Sequence, residues 1–274
     1  MKSITKQILG VSALLALITQ PALAHRFWII PSASVLSGDS QWVTFDAAIS
    51  NSLFFPDHVA APLASITVTG PDGSAVEIQN GKEGKVRTTF DIELTKPGSY
   101  RVATVREGLA ASWKEGEETK RWRGAAKDFA AAGLKGKPEL KVFENLSRTE
   151  TVVTSGAPSA DALKPTGKGL ELVIGKNHPN DLVTGEKASF ILHLNGKPAA
   201  NTKVTLIKGD DRYRDEAGET SVTTDSNGAF EVSFPDAGRY WLNATIENPE
   251  GGEIDGVPFS RRASYTTTFE VLPG

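Results

Sequence analysis

The protein has 274 residues, no cysteine, a single methionine and a formal net charge of −3 at pH 7. The lack of cysteine excludes disulfide bonds and thiolate metal sites, and the single methionine, Met1, excludes thioether-rich copper(I) sites. The mildly acidic composition argues against a nucleic-acid partner, which would require a basic face. Any metal would therefore be held by nitrogen and oxygen atoms, a donor set that favours Cu(II), Ni(II), Co(II) or Zn(II).

Residues 1–24 have the three parts of a secretory signal peptide. A start with two lysines precedes a short apolar stretch, and Ala22 and Ala24 supply small residues at positions −3 and −1 of a cleavage site. The apolar stretch is too short to span a bilayer comfortably. We therefore predict a soluble periplasmic protein that does not span the membrane after processing and begins at His25. Because residues 1–24 carry two lysines and no acidic residue, cleavage moves the formal charge from −3 to −5.

Most of the remaining sequence consists of short strand-like runs separated by Gly, Pro, Asn and Asp. Turns that recur about every 8 to 12 residues are typical of β-sandwiches. The runs lie at 41–47, 65–69, 86–94, 99–105, 170–174, 188–194, 203–207, 220–224, 229–234, 239–246 and 265–272. This pattern predicts an all-β fold.

A weak internal repeat places a glycine turn and then a tyrosine at the start of two strands. The first copy is 97–103, with Tyr100, and the second is 237–244, with Tyr240. In Ig-like domains such a corner tyrosine buries its ring while its hydroxyl bonds to nearby backbone. The alternative is a coincidence between two ordinary turns. We interpret the repeat as a sign of two tandem Ig-like β-sandwich domains.

Two segments of different composition divide the chain. Residues 107–136 are charged and rich in alanine, which predicts a partly helical insertion. Trp113 and Trp122 in this insertion are the tryptophans expected to be exposed for stacking on sugars, whereas Trp28, Trp42 and Trp241 lie in strand patterns and are expected to fill cores. A later stretch rich in Gly, Pro, Ser and Ala is typical of a linker. The predicted division is 1–24 signal peptide, 25–155 N-terminal β-sandwich with the insertion at about 107–136, 156–167 linker and 168–274 C-terminal Ig-like β-sandwich.

The candidate metal site is centred on His25, which cleavage would make the first residue. The α-amine and the imidazole Nδ1 of one histidine can close a chelate ring on a metal ion. His58 and the carboxylate of Asp57, in a loop, would complete a nitrogen and oxygen site for Cu(II) or Ni(II). Two alternatives stay open. In one, His25 merely follows the cut and His58 is a loop residue. In the other, cleavage after Ala22 puts the histidine third, where backbone amides chelate the metal.

The sequence lacks the motifs of nucleophilic, nucleotide-binding and zinc-protease sites, so we predict that the protein is not an enzyme. His178 is expected to be a surface residue in a turn-rich connection, and His193 a half-exposed residue of a strand. The acidic stretch 210–219, which also carries two arginines, is expected to be a solvated hairpin loop.

Three segments carry a resemblance to a known family: 25–31 with the start HRFWIIP, 54–58 with FFPDH, and 195–204 together with 224–228. They are similar to a periplasmic nickel-uptake-transporter-like family, formerly a domain of unknown function, with an Ig-like or carboxypeptidase-regulatory-like second domain. The resemblance spans nearly all of the mature chain and places His25 and His58 on matching motifs. It departs from the family at Arg26, where the family is often acidic.

The resemblance implies an envelope protein that assists nickel or cobalt uptake beside a transporter. Our leading hypothesis is a periplasmic accessory protein that passes Ni(II), Co(II) or Cu(II) to a membrane metal transporter or an outer-membrane receptor. One alternative is a non-catalytic binding module that docks a receptor, glycan or peptide through exposed sheet edges and the 107–136 insertion. A second is a copper enzyme with an N-terminal histidine brace.

Overall fold

The computed structural model describes residues 25–247 and 251–274, so the predicted signal peptide lies outside the described residues. In the described residues the chain forms strands and a few short 3-10 helices, which confirms the predicted all-β fold. The strands are β1 (Arg26–Pro31), β2 (Val35–Leu36), β3 (Gln41–Ser50), β4 (Val59–Ala60), β5 (Ile66–Thr69), β6 (Gln79–Glu83), β7 (Thr88–Leu94), β8 (Gly98–Glu115), β9 (Glu118–Gly124), β10 (Lys141–Ser155), β11 (Leu170–Ile174), β12 (Lys187–Leu194), β13 (Lys197–Pro198), β14 (Lys203–Lys208), β15 (Thr220–Thr223), β16 (Ala229–Ser233), β17 (Gly238–Glu247), β18 (Gly252–Ile254) and β19 (Val257–Val271). The 3-10 helices are Leu63–Ser65, Ala126–Asp128, Asp161–Leu163 and Asp211–Tyr213. In this part of the chain no helix is long and apolar enough to cross a membrane.

Within the part of the chain that the structure describes, the strands form three sheets. A five-stranded sheet has the order β1-β3-β7-β6, with β4 also paired to β3. A ten-stranded sheet has the order β15-β14-β17-β19-β10-β8-β5, and β2, β9 and β18 pair with its members. A four-stranded sheet contains β11-β12-β13, with β16 paired to β12.

Two large hydrophobic cores lie between these sheets. The first is formed by residues within 27–153 and includes Phe45 and Phe90, whose rings stack with centroids 5.0 Å apart. The second is formed by residues within 170–271 and includes Phe190. Each fully buried aromatic or branched side chain contributes about 1.5–3 kcal/mol, so both cores stabilise their sheets substantially. The two cores are compatible with the predicted division of the chain, whose exact boundaries stay a prediction.

The two cores share one continuous sheet, which the sequence pattern did not indicate. Strands β10 and β19 pair in parallel from Phe143↔Ser260 to Thr151↔Thr268. Strand β10 also pairs with β8 of the first half, and β19 with β17 of the second. The ladder of backbone hydrogen bonds therefore runs without a break from one half into the other.

Both predicted corner tyrosines have the expected hydrogen bond. The Tyr100 hydroxyl donates to the carbonyl oxygen of Lys96 at 2.8 Å, and the Tyr240 hydroxyl donates to that of Asp236 at 2.9 Å. Both tyrosine rings are buried, and each tyrosine lies two residues after a glycine with positive φ. The repeat seen in the sequence thus corresponds to the same corner in each half.

The 107–136 insertion is mainly a β-hairpin rather than a helix. Strands β8 and β9 pair from Leu109↔Gly124 to Glu115↔Glu118, and the alanine-rich part contributes one 3-10 turn. Trp113 and Trp122 pack against a small apolar cluster that contains Phe129, so the expectation that they are free stacking residues is wrong. Hairpin pairing is favoured here because it lets the apolar side chains of the segment pack into a cluster that also contains Val142 and Val257. The exposed tryptophan is instead Trp42, at 49%.

Candidate metal-binding site

Pairing to β3 brings His25 and His58 to the same end of the five-stranded sheet. Strand β1 starts one residue after His25 and pairs Arg26 with Ser50, the last residue of β3. Strand β4 starts one residue after His58 and pairs Val59 with Ile49 of β3. Each histidine therefore immediately precedes a strand that pairs with the end of β3.

The two imidazole rings are in contact. Their centroids are 3.8 Å apart and their planes are within 5° of parallel, and both residues are exposed to solvent. Parallel rings direct their nitrogen lone pairs along parallel planes, so a shared ion requires one ring to turn about its Cβ–Cγ bond. That torsion is broad for histidine, and exposed rings are free to turn.

Asp57 shapes the loop that carries His58. Its Oδ1 accepts the backbone N–H of Asn51 at 2.8 Å and the Asn51 side-chain amide at 3.4 Å. This carboxylate closes the turn after β3, and its second oxygen is the one left for a ligand. Within residues 25–247 and 251–274, no group of three or more His, Asp or Glu side chains is arranged to hold a metal ion.

Aromatic side chains fix the loop between β3 and β4. Leu53 is buried, and the ring of Phe54 packs edge-on against Trp28 with centroids 5.9 Å apart. Phe54 also lies against Gly209, where the Cβ of any other residue would come within 2.7 Å of the phenyl ring. The guanidinium of Arg212 lies 3.6 Å above the ring of Phe55. The loop that presents His58 is therefore held by the second half of the chain.

Arg26 does not face His25. Successive side chains of a strand point to opposite faces, so Arg26 lies on the face away from His25 and Phe27. Its Nη1 donates to Asp211 Oδ2 at 2.9 Å and to the Asn51 carbonyl at 3.2 Å. The charge of Arg26 is thus neutralised by an ion pair. Asp211 is buried, which corrects the expectation that the whole acidic stretch 210–219 is solvated.

His178 is not a surface residue as expected. It is half-buried, its Nδ1 accepts the backbone N–H of Asn180 at 3.1 Å, and its Nε2 lies 3.0 Å from the Ser99 hydroxyl. Burial lowers the pKa of His178, so the ring favours its neutral form. Its two hydrogen bonds make it a structural residue of the junction between the halves. His193 is half-exposed on β12, as expected.

His25 also borders an open cleft of about 630 Å³. The cleft is lined by residues of β8, β9, β10 and β19, including Arg106, Arg123 and Arg262. Sequence reasoning missed these arginines because they come from separate strands and the overall charge is negative. Alternation within each strand indicates which face of the strand an arginine lies on, but it does not identify which strands become neighbours.

The family model described as Domain of unknown function (DUF4198) matches residues 22–248. No curated protein matches the chain.

Solved structures resemble the chain only distantly. The D0-D1 domain of intimin is 12% identical, with 88% of this chain and 96% of that chain covered and a TM-score of 0.21. Trypsin-activated alpha-2-macroglobulin from Escherichia coli is 14% identical, with 90% and 16% covered and a TM-score of 0.24. A DUF4785 family protein from Legionella pneumophila is 11% identical, with 78% and 51% covered and a TM-score of 0.23. Likenesses at these identities and TM-scores establish no shared function.

Proposed function

The chain belongs to the family described as Domain of unknown function (DUF4198), and we propose that this member is a periplasmic metal-binding accessory protein. Its cargo is a transition-metal ion, Ni(II), Co(II) or Cu(II), which it passes to a membrane metal transporter or an outer-membrane receptor. The contact between the His25 and His58 rings, with centroids 3.8 Å apart, is the observation that carries the proposal.

The proposed donor set is built around the first residue of the mature chain. Removal of residues 1–24 gives His25 a free α-amine, which with Nδ1 of its own ring forms a chelate. The ring of His58 supplies a third nitrogen, and Asp57 supplies an oxygen through the carboxylate atom that does not cap the loop. Nitrogen and oxygen donors of this kind suit Ni(II), Co(II) and Cu(II).

The surroundings of the site support a carrier. Both histidines are exposed, so an ion held there stays accessible to a partner protein. Three or four donors leave positions on the ion open to a receiving ligand, which favours transfer over permanent storage. Arg26, the residue next to His25 in the chain, is paired with Asp211, which neutralises its charge. The similarity of 25–31 and 54–58 to the nickel-uptake-transporter-like family supports the same cargo.

Isothermal titration of the mature protein with Ni(II), Co(II) and Cu(II) tests the proposal, after intact-mass measurement of the exported protein has fixed its first residue. We expect His58→Ala, and a variant with one alanine added before His25, to weaken binding by about tenfold or more, because each removes a donor. His193→Ala is the matched control and is expected to bind like the unchanged protein. Binding no tighter than about millimolar, roughly 4 kcal/mol, would end the proposal.

The alternative of a non-catalytic docking module draws less support from the described residues. Trp113 and Trp122, the aromatic residues expected to contact a glycan or peptide, contribute to an apolar cluster instead. Deletion of 107–136 that abolishes partner capture, with His25→Ala leaving capture intact, would favour this alternative.

A further inference from the structure

The cleft beside His25 has a floor made from one face of four neighbouring strands. Arg106 of β8 pairs with Ser147 of β10, which pairs with Ser264 of β19. Two residues further along β8, Gly108 pairs with Asn145 of β10, and Asn145 pairs with Arg262 of β19. At the other edge of β8, Ala110 pairs with Arg123 of β9. Residues opposite each other or two apart share a face, so all these side chains point the same way.

This floor is the uncovered end of a face that is buried elsewhere. Further along β8, Tyr100 and Val102 on the same face belong to the first core. Strand β1 crosses this face, where the carbonyl oxygen of Phe27 accepts the indole N–H of Trp241 at 2.9 Å. The Phe27 ring lies 4.6 Å from the guanidinium of Arg106, and His25, two residues earlier, borders the cleft. The cleft therefore begins where the covering strand begins, at His25.

The arginines of the cleft carry charge that the described residues leave largely uncompensated. Among residues 25–247 and 251–274, Arg106 and Arg123 take part in no ion pair, and Arg262 has an exposed partner, Glu247, at 3.8 Å. Glu107, which also borders the cleft, is paired with Lys168 at 2.7 Å. Partial burial and the like charge of Arg123 lower the pKa of Arg106. A bound anion would relieve this repulsion.

We propose that the cleft binds a small multivalent carboxylate through Arg106, Arg123 and Arg262, and that this carboxylate carries the metal ion to His25. The volume of about 630 Å³ suits a small molecule. The backbones of Arg123 and Arg262 are three strand spacings, roughly 14 Å, apart, so the three arginines present separate guanidinium groups, which suits a ligand with several carboxylates better than one compact phosphate. Guanidinium groups bind carboxylates through paired hydrogen bonds, and Asn145, Ser147 and Ser264 add neutral polar contacts.

The delivery of the metal rests on the proposed function, whereas carboxylate binding does not. A polycarboxylate uses oxygen donors and leaves positions on the ion for nitrogen, which His25 and His58 supply. The cargo would thus enter as an anionic chelate, guided by the arginines of an otherwise acidic protein.

Titration of metal-free mature protein with citrate in low-salt buffer tests the cleft. We expect Arg123→Gln and Arg262→Gln each to weaken citrate binding by about tenfold, because each variant removes one charge-assisted hydrogen bond to a carboxylate. Arg121→Gln is the matched control, because Arg121 lies on β9 without lining the cleft, and we expect it to change the affinity by at most about twofold. Absence of citrate binding, an equal loss in the control, or equal affinity for sulfate would overturn the proposal.

A second titration separates this inference from the proposed function. The Ni(II)–citrate complex is expected to bind more tightly than citrate alone, and His25→Ala is expected to remove only that difference. Citrate binding without any gain from Ni(II) would overturn metal delivery and leave the carboxylate cleft. Binding of free Ni(II) without citrate binding would overturn the cleft and leave the metal site.

Discussion

Arg26 and Asp211 are 185 residues apart in the sequence and form an ion pair with Nη1 and Oδ2 at 2.9 Å. The side chains are 17% and 5% exposed. The other oxygen of Asp211 accepts the backbone N–H of Leu53 at 2.8 Å. One carboxylate from the second half therefore holds both the strand that follows His25 and the loop that leads to His58.

Asp211→Asn is expected to lower the free energy of unfolding by about 2–4 kcal/mol, because it leaves the guanidinium of Arg26 in a largely buried position without its counter-charge. Urea denaturation measures the loss. Asp46→Asn is the control, since Asp46 pairs with Arg87 at 3.4 Å where both side chains are much more accessible to solvent. Its cost is expected to stay under about 1 kcal/mol. Equal losses in the two variants would show that burial does not set the strength of the Arg26 pair.

The two corner tyrosines are expected to differ in their contribution to stability. The hydroxyl of Tyr100 donates to the Lys96 carbonyl and also accepts the Lys96 N–H at 2.9 Å, whereas that of Tyr240 donates to the Asp236 carbonyl. Tyr240→Phe is expected to cost about 1 kcal/mol, and Tyr100→Phe about 1.5–3 kcal/mol, because it leaves two backbone groups without a partner. Urea denaturation of both variants checks the order. A larger cost for Tyr240→Phe would contradict it.

Local signals in the sequence account for the predictions that the structure confirms. Short alternating runs predicted the all-β fold, and the glycine turns before Tyr100 and Tyr240 predicted the two corners. The alternation of apolar and polar residues in β3 also indicates that Trp42 is exposed. Trp42 shares a face of β3 with Thr44 and Asp46, whereas Val43 and Phe45 face the core. The expectation that Trp42 fills a core was wrong, because its position in the strand places this large apolar side chain on the exposed face.

Relationships between distant parts of the chain could not be predicted in the same way. The parallel pairing of β10 with β19 depends on which strands become neighbours, and no local pattern determines that choice. The ion pair of Arg26 with Asp211 also depends on which distant parts of the chain become neighbours, since the two residues are 185 positions apart. For the site, the sequence singled out His25, His58 and Asp57, and pairing with β3 accounts for the contact between the two rings. The arginine cleft could not be predicted from the sequence, because it depends on the register between four strands.

The half-buried ring of His178 predicts a loss of stability in mild acid. Its Nδ1 accepts the N–H of Asn180, so the neutral ring carries its proton on Nε2, toward the Ser99 hydroxyl. Because burial lowers the pKa of His178 in the folded state, the unfolded chain takes up a proton first as the pH falls below about 6.5. Stability contributed by this group is therefore present above that pH and is lost toward the lower folded pKa, by at most about 1.4 kcal/mol per pH unit.

His178→Asn separates this titration from the hydrogen bonds of the ring. At pH 8 the imidazole is neutral in both states, so the difference in unfolding free energy between the protein and the variant reports lost contacts alone. Between pH 7 and pH 5 the variant is expected to lose less stability than the unchanged protein, because it lacks the group that binds a proton on unfolding. Urea denaturation at each pH measures both quantities. Parallel curves would mean that protonation of His178 is not coupled to unfolding, and its role would then be limited to the bonds with Asn180 and Ser99.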